Sequence, residues 1–67
     1  MLDKKPISER EKEVLGLYAK GLTYNQIADK LAISPSTVRK HIENIYKKLE
    51  VHNKIEAVQK AMKHNVL

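Results

Sequence analysis

The 67-residue chain is expected to be all-α, a compact four-helix bundle. Three observations carry that expectation. Four helix-start signals are spread along the chain, apolar residues recur at helical spacing after them, and no stretch alternates with period two for long enough to form a strand. A chain this short supports one modest core. One domain is therefore expected over residues 7–67, behind a flexible N-terminal arm over 1–6 that carries two lysines and Pro6.

The first helix is expected near 8–20. Ser8 with Glu11 three residues later is a capping-box pattern, and Ile7 before the cap can staple onto the first turn. Val14, Leu15, Tyr18 and Leu22 point inward, and Gly21 suits the left-handed residue that ends a helix. The second helix, near 23–31, repeats the pattern with Thr23 and Gln26 and turns Ile27, Ala28 and Leu31 inward. "LAIS" separates it from the third, near 34–49, which opens on Ser34 with Pro35 at the first helical position. Val38, Ile42, Ile45 and Leu49 form one narrow apolar stripe along that helix. After "EVHN", Asn53 with Glu56 starts the fourth, near 53–64. There Ala57, Val58 and Ala61 can cover the core, while Ile55, Met62 and Val66 gather on an adjacent edge. A small bundle has little use for both sets, so that second edge is expected to be a dimer contact.

The absence of cysteine excludes disulfides and thiolate metal sites. His41, His52 and His64 share no i, i+4 spacing, so no metal is expected. There is no nucleophile–base arrangement or phosphate loop, and the chain is expected to be no enzyme and to need no cofactor or small-molecule ligand. No apolar run reaches transmembrane length and "MLDKKPISER" lacks a signal peptide's apolar stretch, which leads to an expectation of no membrane partner and a cytoplasmic location. The net charge is +5. Residues 1–33 hold six cations against five anions, and residues 34–67 hold seven against three. A basic half points to a polyanionic partner, with nucleic acid first.

The second and third helices carry the function. A short helix, a connector of a few residues and a longer amphipathic helix make the layout of a helix-turn-helix, whose second helix enters the DNA major groove. On a helical wheel with Val38 at the origin, Ser36, Lys40, Glu43 and Lys47 fall between about 140° and 200°, with Arg39 flanking them at about 100°. Arginine can pair bidentately with guanine, lysine less strictly, and glutamate can accept from cytosine N4. Ser and Thr near the helix start can hold phosphate, where free N–H groups also point. A helical protein-interaction module with a basic face is the alternative reading.

The stretches "EREKEVL", "KGLTYNQIADKL", "IS.STV..HI.NIY.KL" and "V....EAV" come at linked spacings between Ile7 and Val58. Together they resemble the LuxR-type helix-turn-helix domain of bacterial transcription regulators. The resemblance implies that the third helix reads DNA, with Ser36, Arg39, Lys40 and Glu43 on the bases. It places Tyr24, Asn25, Ser34 and Thr37 at phosphates, with Lys47 in reach of the backbone and Lys54 where an arginine phosphate clamp is common. It implies a homodimer through helix 4 on inverted half-sites, a possible contact with RNA polymerase, action at the nucleoid and, as a rule, the C-terminal output domain of a two-component response regulator. The chain departs from the pattern at Glu43, at Gln26, and at Ala32 and Glu50, where glycine is usual; both turns are costly if they need positive φ.

Overall fold

Each helix begins where a side-chain oxygen meets a backbone N–H that has no helical partner. The computed structural model describes residues 6–64 and 66. In it Ser8, Thr23, Ser34 and Asn53 are the four N-caps, accepting from the backbone N–H of Glu11, Gln26, Thr37 and Glu56. The helices they start are α1 (Glu9–Ala19), α2 (Tyr24–Leu31), α3 (Pro35–Leu49) and α4 (Lys54–Lys63). The expected spans differ from these only by including caps. At α1 and α2 the box is complete, because the Glu11 and Gln26 side chains accept from the cap N–H at 3.0 and 2.9 Å. At α4 the Glu56 carboxylate instead takes the N–H of His52, at 2.9 Å. Apart from Pro6, the arm expected over 1–6 lies outside the described residues.

The helices also end alike. The N–H groups of Leu22, Ile33, Val51 and Val66 donate to the carbonyls of Leu17, Ala28, Tyr46 and Ala61, five residues back, at 3.3, 3.0, 3.0 and 2.7 Å. At the first three ends this is the outer bond of a Schellman turn, which needs a left-handed residue just before the donor. Gly21, Ala32 and Glu50 supply it in the first three turns, with φ of 98°, 58° and 59°. The donor residue is apolar each time and folds back onto the core: Val51 is buried, and Leu22, Ile33 and Val66 are half-buried against it. Val51 is a core residue that the sequence reading left in a connector. Val66, expected beside Ile55 and Met62 on a dimer edge, is half-buried against the core.

Ala32 and Glu50 both hold a Cβ in a left-handed conformation, at a cost of about 1–2 kcal/mol each. Ala32→Gly is therefore expected to raise unfolding stability by about 1 kcal/mol, read as a higher urea midpoint at unchanged slope. A lowered midpoint would mean that the turn is not strained.

The core consists of Val14 and Leu15 from α1, Ile27 and Ala28 from α2, Val38, Ile42, Ile45 and Leu49 from α3, Val51, and Ala57 and Ala61 from α4. Tyr18, Leu22 and Leu31 are half-buried at its edge, and Val58 is half-buried rather than fully inside. α3 is the central element, packed on α1, α2 and α4. Its apolar stripe is what the other three helices cover.

Glu11 is the one buried charge among the described residues, only 4% exposed. Its Oε1 accepts from Lys48 Nζ at 2.7 Å and from the Ser8 N–H at 3.0 Å. Lys48 Nζ also donates to the Pro6 carbonyl at 3.3 Å. Burial pushes the Glu11 carboxyl pKa up, but the Lys48 ammonium and the Ser8 N–H outweigh it and hold the pKa below its ordinary value. One cap residue thus ties the start of α1 to the last turn of α3. Among the described residues no buried side-chain nitrogen or oxygen lacks a partner.

Candidate nucleic-acid interface

The stripe that anchors α3 also aims its other side. With Val38, Ile42 and Ile45 at 0–1% exposure, Ser36, Arg39, Lys40, Glu43 and Lys47 stand exposed on the opposite face. Within that strip the Arg39 Nε donates to Glu43 Oε2 at 3.2 Å, one helical turn on. The side chains are 71% and 52% exposed, so the pair is a surface ion pair worth only about 0.3–0.5 kcal/mol. It occupies Nε and leaves the terminal Nη groups of Arg39 available.

At the start of α3, Ser34 Oγ lies 2.8 Å from Thr37 Oγ1 and 3.1 Å from Ser36 Oγ. Three hydroxyls meet there, an arrangement suited to a phosphate oxygen. A shallow groove beside it is lined by Thr23, Tyr24 and Asn25 from the start of α2 and by Pro35, Ser36 and Arg39 from α3. Tyr24 and Asn25, distant from Arg39 in sequence, are thereby brought to the same surface. The cause is the packing of α2 on α3, the most extensive helix pair of the fold.

Lys54 opens α4 and lies beyond this groove. Its Nζ sits 4.4 Å from the centre of the Tyr18 ring. The Tyr18 ring in turn lies 5.6 Å from that of Tyr24, tilted by 47°. Burial, then the neighbouring Tyr46 hydroxyl, pushes the Tyr18 pKa above its ordinary value, and burial with the Tyr18 hydroxyl does the same for Tyr24. Both hydroxyls therefore stay protonated through the neutral range.

Of the ten residues expected at bases and phosphates, Tyr24 and Lys54 are half-buried and the other eight are exposed, and most lie on or beside the face that α3 presents. Ile55 and Met62, expected at a dimer contact, are 69% and 62% exposed on α4. The sequence reading missed Thr23 and Pro35 as groove residues, seeing them only as a cap and a first-turn proline. It also missed Tyr18 as the neighbour of Lys54. No local signal marks that contact, since the two residues come from α1 and α4.

A short helix, a tight turn and a longer helix that buries one side and bares a basic polar strip define a DNA-binding helix-turn-helix domain. The model for "Bacterial regulatory proteins, luxR family" matches residues 5–61. The chain belongs to that family. It is 46% identical over 56 residues to the HTH-type transcriptional regulator MalT of Serratia proteamaculans, covering 84% of this chain. Against MalT of Vibrio cholerae the identity is 45% over 56 residues, again 84% of the chain. The crystal structure of the response regulator ChrA of a heme-sensing two-component system superposes with a TM-score of 0.91 and 36% identity over 98% of this chain. The chain spans only 6% of the length of those two MalT proteins and 33% of the ChrA chain. Among the described residues, no helix is long and apolar enough to cross a membrane.

Proposed function

We propose that the chain binds double-stranded DNA sequence-specifically to regulate transcription, with α3 in the major groove. The observation that carries this is the exposed strip of Ser36, Arg39, Lys40, Glu43 and Lys47 directly opposite the buried stripe of α3. In this reading Ser36, Arg39 and Lys40 meet base edges, with Glu43 standing among them. Ser34, Thr37, Tyr24 and Asn25 take phosphates around the groove, and Lys47 and Lys54 reach the backbone further out. Glu43 buttresses Arg39: with Nε held, the Nη edge can address guanine O6 and N7. The likeness to a response regulator supports a role as the C-terminal output domain of such a protein, acting in the cytoplasm at the nucleoid, with RNA polymerase as a further partner. No chemistry is assigned to the domain.

Sites selected from random DNA supply the ligand for the test. Affinity should fall steeply and linearly on a log–log plot against salt, since each neutralised phosphate contributes about 0.9 to the slope. A helical protein-interaction module would give no selected sequence and no such slope.

Exposed Ile55 and Met62 support dimerisation through α4 on inverted half-sites. A pair of large apolar side chains bared on one helix is a natural self-contact. Ile55→Glu should leave binding to a single half-site intact and abolish cooperative binding to a two-half-site duplex. Unchanged cooperativity would remove α4 as the dimer contact.

A further inference from the structure

We propose that Tyr18 is a positioning residue for DNA binding, whose ring holds Lys54 and Tyr24 as a single phosphate clamp; the proposal rests on the DNA-binding reading above. Lys54 is the first residue of α4. A cation is disfavoured there, because the helix dipole puts its positive end at that position. The same turn favours an acid, and Glu56 occupies it. A lysine that breaks the local rule needs a compensating partner, and the structure supplies one. The Lys54 ammonium lies 4.4 Å from the centre of the Tyr18 ring, within cation–π range. Lys54 is half-buried at this position.

The same ring does a second job. It meets Tyr24 at 5.6 Å in a tilted aromatic pair. Tyr24 is the first residue of α2 and lines the groove shared with Ser36 and Arg39. One side chain from the last turns of α1 therefore connects the starts of α2 and α4. Both starts present unpaired backbone N–H groups and the positive end of a helix, which suit phosphate oxygens. Tyr18 need not touch DNA to matter. It restricts a long, flexible lysine and a tyrosine to one arrangement before binding, so less side-chain freedom is lost in the complex.

The test uses the 67-residue chain with a random-sequence duplex, because phosphate contacts act on any sequence. Three variants are compared: Tyr18→Leu, Tyr18→Phe and Lys54→Met. Tyr18→Phe keeps the ring and should bind as the unmodified chain does. Tyr18→Leu should weaken binding roughly five-fold at low salt and make the log–log salt slope shallower by about 0.9, the loss of one phosphate contact. Lys54→Met should do the same. Adding Tyr18→Leu to Lys54→Met should then cost little more, since the ring has no ammonium left to place. Circular dichroism and thermal melts check that each variant is folded. If Tyr18→Leu is folded and keeps the full salt slope, or if the two losses simply add, Tyr18 acts on packing alone and the proposal is overturned. Should Tyr18→Leu not fold, the comparison moves to Lys54→Met and Lys54→Arg: equal slopes in those two would overturn it. Absence of any DNA binding by the unmodified chain would instead defeat the DNA-binding reading itself.

Discussion

Arg39→Ala is expected to weaken binding to a selected site by about 1–3 kcal/mol and to relax the preference at one base pair. Random DNA should lose much less, because the Nη groups address base edges rather than phosphate. Equal losses on both DNAs would count against base reading by Arg39. Glu43 sharpens the test. Its carboxylate holds Nε of Arg39 at 3.2 Å in the absence of DNA. The pair is exposed and weak, so DNA can easily rearrange it; its use is orientation. Glu43→Gln removes one negative charge from a surface that meets phosphates, so affinity for random DNA should rise. The more neutral acceptor holds the guanidinium less firmly, so discrimination at the Arg39 base pair should fall. A loss confined to a different, cytosine-containing position would show instead that Glu43 reads a base directly.

The second large effect concerns stability. Glu11→Ala is expected to cost about 3 kcal/mol, because it strips the half-buried Lys48 of its carboxylate and also opens the cap of α1. For a domain of this size that corresponds to a melting temperature lower by roughly 12 °C or more. Lys48→Met should be comparably harmful, since it leaves a buried carboxylate held only by Ser8. The double variant Glu11→Met with Lys48→Met should recover much of the loss, because two apolar groups of similar volume need no partner. The pH dependence follows from the direction of the Glu11 shift. The folded pKa is depressed, so the stabilisation is fully present above the ordinary carboxylate value and is lost as pH falls through the folded one. Unfolding free energies of the unmodified chain and Glu11→Gln should therefore converge in acid and separate towards neutral pH. A constant difference across that range would mean that the carboxylate's charge is irrelevant.

These two sites differ in how far the sequence reveals them. Arg39 and Glu43 are four residues apart on one helix, so helical spacing alone puts them side by side. The four helix starts were legible for the same reason: an N-cap is satisfied within three residues. Glu11 read only as a cap, because its partner Lys48 lies 37 residues away and no local rule connects them. The pair of Lys54 with Tyr18 was hidden likewise. Val51 was not read as core because it follows a helix, where periodicity stops. Its inward direction comes from the left-handed turn at Glu50 and not from any spacing. Ala32 and Glu50 disguised two of those turns by standing where glycine is usual.

The shared form of the four helix ends has a consequence for how the domain folds. Each start closes over three residues and each end over five, so every helix carries both of its boundaries within its own local sequence. Little of the chain's search is spent on deciding where a helix stops. What remains is the docking of four already bounded rods around α3, most of it between neighbours in sequence. Such a topology has low contact order, which places folding in the microsecond-to-millisecond range. The strained clasps at Ala32 and Glu50 belong to those local boundaries and form before docking, so relieving their strain should speed folding more than it slows unfolding.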